Sequence, residues 1–266
     1  EFFLSIKWWW VIVAILLQVI IFIIGAIRWR VFFYHGHSPY TLRQLIKPYF
    51  IGALFNNFLP ASTGGDALRI YHVYKQGYGY SLAFSPIVVE RAIGTSVMFG
   101  MASLIIPFIE FKAKWVQQFS IFIPVIFLSL IVLLSIIGCS RSYRKMHNFL
   151  TKKYNYKLIK TILKITKTIH KYLKSPTLIL KIIALSVLAQ FMEIVVFFTL
   201  AQSIDTVTPF SNFILAVPII LIITGLPISI GGFGIREIAI ITIFSTMGMS
   251  NSESAAIALL FIPVLI

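Results

Sequence analysis

Residues 8–27 form a run of twenty side chains without one charge, and similar runs recur along the chain. About 20 apolar residues are what an α-helix needs to cross a hydrocarbon core roughly 30 Å thick. In that solvent each backbone N–H and C=O must be satisfied within the protein, which leaves few alternatives to helix. Further runs cover 84–109, 119–139 and 177–201, and shorter apolar helices are predicted at 41–58, 212–226, 234–247 and 254–266. Apolar side chains make up 59% of the whole, and the mean hydropathy is +0.93. The expected fold class is an all-α polytopic integral membrane protein, one membrane domain over residues 1–266. The chain opens on Glu1 and stops inside an apolar run at Ile266, so it reads as a piece of a longer protein truncated at both ends.

A formal charge of +15 raises the possibility of nucleic acid. Its distribution argues for a membrane surface instead. Residues 141–174 hold eleven Lys/Arg and no acid, with Ile159, Leu163 and Ile169 interleaved. That pattern suits an amphipathic segment on an anionic leaflet and marks the cytoplasmic side of a multi-pass protein in the cell membrane. No recognition motif for nucleic acid accompanies it. The single Cys139 reads as a packing residue.

Two stretches break the apolar pattern in the same way. Residues 59–69 read L-P-A-S-T-G-G-D-A-L-R and residues 226–236 read L-P-I-S-I-G-G-F-G-I-R, with six coincident positions. Pro60 and Pro227 end the incoming helices, and the paired glycines permit a reversal. Basic residues fix the sidedness. Arg28, Arg30, Arg43, Lys47 and Lys75 all favour the side of the 141–174 segment. Residues 41–80 then enter from the cytoplasm and return to it, as a re-entrant helical hairpin. Three complete spans separate the motifs, so the second hairpin enters from outside. This is an inverted-topology repeat with two re-entrant hairpins, a plan common in transporters. Its first half covers about 28–109 and its second about 177–266.

Each hairpin tip offers a helix N-terminus with free N–H groups, together with Ser62 and Thr63 or Ser229. Arg69 and Arg236 lie in the first turns behind them, and two such tips facing each other describe a phosphate site. The structural alternative is that Gly-Gly only allows close helix packing and each arginine is neutralised nearby. Asp66 and Arg69 are three apart and can pair. Arg236 and Glu237 are adjacent and are expected to look elsewhere, Arg236 to Glu90 or Glu193.

Glu90, Arg91, Lys181 and Glu193 complete an intramembrane charge network, and adjacent Glu90 and Arg91 should serve different partners. Glu193, one turn from Gln190, suits a proton relay or a cation site, or else clamps Lys181 or an arginine. His35 and His37 lack the carboxylate or cysteine company a metal site needs. G-G-F-G lacks the strand–turn–helix context of a dinucleotide loop. No nucleophile–base pair is visible. No metal, cofactor or catalytic residue is therefore expected, and the chain does not read as an enzyme.

F-N-N-F-L-P-A-S-T-G-G-D-A-L-R, then V-E-R-A-I-G, then L-P-I-S-I-G-G-F-G-I-R-E resembles the membrane domain of lysylphosphatidylglycerol synthases, which stand-alone flippase-like proteins share. The resemblance runs from about residue 20 to the C-terminus. It implies a flippase-like protein that moves a phospholipid, aminoacylated in the best-known members, or a polyprenyl-phosphate lipid between leaflets. The synthases add a soluble transferase domain, which has no counterpart in these residues. By the same resemblance Asn57, Pro60, Gly64, Gly65, Asp66, Arg69, Glu90, Arg91, Gly231, Gly232, Arg236 and Glu237 occupy signature positions. The expected headgroup contacts are Asn57, Ser62, Thr63, Gly64, Gly65, Asp66 and Arg69 from the first motif. Ser229, Gly231, Gly232, Arg236 and Glu237 supply those of the second. Anionic membrane lipids are the expected partners. The alternatives are the membrane part of an aminoacyl-lipid synthase and a secondary transporter of a small anion.

Overall fold

The long apolar runs form long helices because leucine, isoleucine and phenylalanine lose little by coiling once their side chains face lipid or one another. In the computed structural model, described over residues 6–35, 40–58, 64–108, 121–153, 156–225 and 232–265, every regular element is helical. The order is α1 Trp8–His35, α2 Leu42–Phe58, α3 Gly64–Lys75, α4 Tyr80–Ile105, α5 Phe122–Gly138, α6 Ser140–Lys153, α7 Lys157–Leu173, α8 Pro176–Gln202, α9 Phe210–Thr224, α10 Ile235–Thr246 and α11 Asn251–Leu265. A short 3₁₀ turn, Ile106–Phe108, follows α4. Among the described residues the fold is all-helical with several apolar helices, consistent with a polytopic membrane protein.

Among the described residues three stretches are long and apolar enough to cross a bilayer: Trp8–Phe33, Tyr80–Ile105 and Pro176–Gln202. The run expected to span at 119–139 is shorter where it is described. Its 17-residue helix α5 covers only ~26 Å at 1.5 Å per residue. It reaches span length together with Tyr143–Phe149 of α6, across a bend of 65°. The helix buries no side chain fully, packs Ile123 and Phe127 partly against its neighbours, and turns Leu128, Val132 and Leu133 outward. Both motif tips, with Pro60, Ser62, Thr63, Pro227, Ser229 and Gly231, lie outside the described residues.

The two longest helices are antiparallel neighbours. At the start of α1 the Lys7 N–H donates to the Ser203 carbonyl over 2.9 Å, and the Lys7 ammonium meets Asp205 at 2.6 Å. Near the other end of α1, Arg28 Nη1 donates to Ser186 Oγ at 3.0 Å. At that end Trp29 and Phe33 of α1 share one cluster with Leu45 of α2, Val73 of α3 and Ala83 of α4. Helix α2 therefore begins, and α3 ends, where α1 ends. Helix α7 lies across the same end, where Ser81 Oγ donates to the Lys164 carbonyl at 2.9 Å. Its exposed side carries Lys160, Lys164, Lys167 and Lys171, and its inner side buries Leu163 and Tyr172.

At the opposite end Phe197 of α8, Phe213 of α9, Phe244 of α10 and Ile257 of α11 pack with Val11 and Ala14 of α1. Asn212 Nδ2 donates to the Met247 carbonyl at 3.1 Å, which ties the start of α9 to the end of α10. The packing partners also recur in pairs. Contacts α1–α2, α2–α3, α3–α4, α1–α4 and α4–α8 are matched by α8–α9, α9–α10, α10–α11, α8–α11 and α11–α1.

Candidate functional site

Gly65 explains how α3 comes to lie so close to α2. A Cβ on Gly65 would collide with the Gly52 carbonyl oxygen and sit 2.8 Å from Asn56 Oδ1. Bare backbone at that crossing lets the helices touch, and the Gly65 N–H donates to Asn56 Oδ1 at 2.8 Å. One N–H expected to face an anion is therefore already capped by a side chain of α2. The close crossing presses the first turn of α3 against α4, and this creates the charged centre.

Five ionic side chains from three helices form one chain of contacts. Arg28 donates to Glu90 Oε1 through Nε at 3.2 Å and Nη2 at 2.7 Å. Arg69 Nη2 donates to Glu90 Oε2 at 2.6 Å, and its Nη1 to Asp66 Oδ1 at 3.3 Å. Arg91 Nε donates to Asp66 Oδ2 at 2.7 Å. The Arg69 guanidinium also lies between the Trp29 and Tyr49 rings, 4.5 Å and 4.6 Å from their centroids. Glu90 side chain exposure is 4% and that of Arg69 is 7%, whereas Arg91 is half-exposed at 50%. Three guanidiniums against two carboxylates leave the group with one net positive charge. In a low-dielectric surrounding such an excess attracts an anion strongly.

The excess faces a cavity of about 260 Å³ lined by Tyr49, Asn56, Asp66, Arg69, Glu90 and Arg91. A second cavity of about 440 Å³ is lined by Glu193, Leu221, Thr224 and Gly225. The two share Arg28, Arg91, Thr95, Met98 and Gln190, so they meet along one wall. Gly225 is the last described residue before the second motif tip. Beside them, on another face of α4, an apolar groove of about 660 Å³ runs between α4, α5 and α8, past Ile93, Leu104, Phe127 and Ile183.

The first motif's Asp66 and Arg69 and the following Glu90 and Arg91 thus come together, with Glu90 and Arg91 serving different partners as expected. Gly64 opens α3, and Asn57 lies elsewhere, donating to the Leu265 carbonyl at 2.8 Å. The second motif differs. Arg236 does contact its neighbour, with Nε and Nη2 at 3.2 Å and 3.1 Å from Glu237 Oε1, against expectation. The reason is the cap: Glu237 turns back so that Oε2 accepts the Gly234 N–H at 2.6 Å, and this brings its carboxylate to Arg236. Arg236 is buried against Phe233 and Phe261, 4.9 Å and 5.8 Å from the ring centroids, and lines neither cavity. Gly232 takes a positive φ of 79°, a conformation that favours glycine, at the last turn before α10.

Lys181 is exposed and enters no ion pair among the described residues, so the clamp on Lys181, one of the alternatives for Glu193, does not form there. Glu193 is 8% exposed, and among the described residues it has no ion-pair partner. Arg28, read from sequence as an interfacial flank, instead turns inward onto Glu90 with its side chain 16% exposed. Helical period could have separated it from Arg30: two positions are about 200° of rotation, and Arg30 is the exposed one. Tyr49, Asn56 and Ser186 carry no sequence signal, since each looks like ordinary polar content of a span. Among the described residues no three His, Cys, Asp or Glu side chains gather as a metal site.

The family model described as "Lysylphosphatidylglycerol synthase TM region" matches residues 2–262. A UPF0104 membrane protein of Methanocaldococcus jannaschii is 26% identical over 266 aligned residues, covering 92% of this chain and 77% of that protein. A UPF0104 membrane protein of Pyrococcus horikoshii is 30% identical over 82 residues, 30% of this chain and 24% of that protein. No solved structure matches. The chain belongs to the lysylphosphatidylglycerol synthase transmembrane family.

Proposed function

We propose that this member of the lysylphosphatidylglycerol synthase transmembrane family moves an anionic lipid between leaflets, with the headgroup phosphate held between the two hairpins. The observation that carries the reading is the net charge of one positive unit on the five side chains of the Arg28–Glu90–Arg69–Asp66–Arg91 group, which faces a cavity inside an apolar protein. A phosphodiester carries one negative charge and complements it. Arg91 is the guanidinium with the most exposed surface, so it meets the phosphate first. Arg28 and Arg69 set the field behind it.

The hairpins read as re-entrant, entering from opposite faces. Three observations support this. Helix α2 begins and α3 ends in one cluster, while α9 begins and α10 ends at the other end of the protein. The paired contacts match α1 through α4 with α8 through α11. The matched helices α1 and α8 run antiparallel, as an inverted repeat requires. The lysine face of α7 supports a cytoplasmic place for its end, docked on an anionic leaflet. The apolar groove beside the cavities favours an amphiphile over a small soluble anion, since acyl chains fit its lining.

The test uses the full chain in vesicles that contain a trace of phosphatidylglycerol with a fluorescent acyl tail. Exchange between leaflets is read by quenching from outside. Wild-type protein should accelerate it, and Arg91→Gln should remove most of the acceleration while the protein stays folded. Vesicles in which wild type exchanges no lipid, yet takes up inorganic phosphate, would favour the small-anion reading instead.

A further inference from the structure

Glu193 is the one carboxyl among the described residues that lines a cavity, is buried, and is absent from every ion pair. The groups facing its cavity are few. Helix α1 contributes Arg28, α4 contributes Arg91, α8 itself contributes Gln190, and α9 contributes uncharged Leu221, Ile222 and Thr224. Helices α7 and α11, which also pack on α8, bring no charged side chain to it among the described residues. Glu90, paired with Arg28, lies in the adjoining cavity.

Charge balance follows from these neighbours. The five-residue group is positive by one, and an ionised Glu193 makes the described side chains of the two cavities together neutral. An anion bound beside Arg28 and Arg91 uses that same positive charge. Glu193 would then be a second negative charge in a low-dielectric space, and its stable form becomes the neutral acid. Gln190 supplies what a neutral acid needs. It lies one helical turn away, on the same face, and its Oε1 is buried without a hydrogen-bond partner among the described residues. A carboxyl O–H can donate to that oxygen. Among the described residues this cavity holds one carboxylate, and no three His, Cys, Asp or Glu side chains gather there.

We propose that Glu193 takes up a proton as the anionic headgroup binds, so that lipid and proton cross together. The inference rests on the headgroup site proposed above. By linkage, the affinity for the anion then rises as pH falls through the range where Glu193 titrates, and binding draws a proton from solution. The bond formed is carboxyl O–H on Glu193, the proton comes from bulk water, and release on the far side returns both.

The experiment titrates the full protein in detergent with glycerophosphoglycerol, a soluble phosphodiester whose own charge is constant near neutral pH. Binding heats are compared in buffers of different ionisation enthalpy, which reports protons taken up per anion bound. Wild type should take up a proton, Glu193→Asp should retain the uptake, and Glu193→Gln should lose it. In vesicles, a pH step of about one unit should speed fluorescent phosphatidylglycerol exchange in one direction by up to roughly tenfold, the factor for one coupled proton. Wild-type binding without proton uptake overturns the coupling and leaves the headgroup site standing, and this needs no variant to fold. Uptake that persists in Glu193→Gln assigns the proton to another group and overturns the role of Glu193. If wild type binds no phosphodiester, the headgroup site itself is wrong and the coupling falls with it.

Discussion

The two hairpins share six letters of an eleven-residue motif and use them differently. In the first, Arg69 reaches out of its helix to Glu90 on α4 and is covered by Trp29 of α1. In the second, Arg236 is satisfied by the next residue of its own helix and by Phe233. One exchange accounts for the difference. The acid lies three positions before the arginine in the first motif, as Asp66, and one position after it in the second, as Glu237. Phe233 stands where Asp66 would be. The α2–α3 hairpin therefore couples to its surroundings through charge, and the α9–α10 hairpin is electrically self-contained and couples through apolar packing. A repeated motif sets the backbone path, while the residues between its fixed letters decide which copy carries chemistry.

The largest expected difference is in stability. Glu90→Gln leaves Arg28 and Arg69 without their shared carboxylate and should cost about 3–5 kcal/mol, the usual effect of breaking a buried pair. Glu237→Gln removes a partly exposed cap contact and should cost about 1 kcal/mol. Thermal unfolding in detergent compares them. Equal losses would mean that the second hairpin depends on its charges as much as the first.

Next in size is the backbone crossing. Gly65→Ala pushes α2 from α3 and should cost at least the roughly 1–3 kcal/mol of an overpacked core. At Gly232 a Cβ has nothing nearer than 4.0 Å among the described residues, so alanine there meets chiefly the strain of its positive φ, about 1–2 kcal/mol. The same melting measurement ranks the pair, and a milder Gly65→Ala would show that the helices can part freely.

Transport should separate the arginines. Arg69→Lys keeps a charge but loses the fork that holds Glu90 and Asp66 together. One charge-assisted hydrogen bond of ~1.5–3 kcal/mol corresponds to a drop of roughly tenfold or more. Arg236→Lys should stay within about twofold, since its contacts lie away from both cavities. Lipid exchange per folded protein is the readout. A larger effect at Arg236 would restore a symmetric site in which both arginines hold the ligand.

The smallest effect is on stability and the sharpest on topology. In a Cys139→Ser background, Gln76→Cys beyond α3 and Val207→Cys before α9 are surface changes worth under ~0.5 kcal/mol. Val207 is 97% exposed. An impermeant thiol reagent should label Val207→Cys in intact cells and Gln76→Cys only after the membrane is opened. Labelling both from the same side would remove the opposed hairpins.

The sequence by itself determined the solvent of this protein and the character of its elements. Runs such as 8–27, twenty residues without a charge, point to spanning helix, because hydrocarbon satisfies no N–H or C=O. The pairing of Asp66 with Arg69, and the divergence of Glu90 from Arg91, were legible too, since both follow from the 3.6-residue turn. Only the tertiary structure decided which charges meet across helices. Arg28 is 62 positions from Glu90 and 158 from Ser186, and no local pattern ties it to them. Their meeting depends on Gly52 and Gly65 letting two backbones touch, and on α8 lying antiparallel beside α1. Equally, the isolation of Glu193 is a property of three-dimensional packing: a carboxyl in a span must find a partner or a cavity, and its neighbours in the chain do not say which.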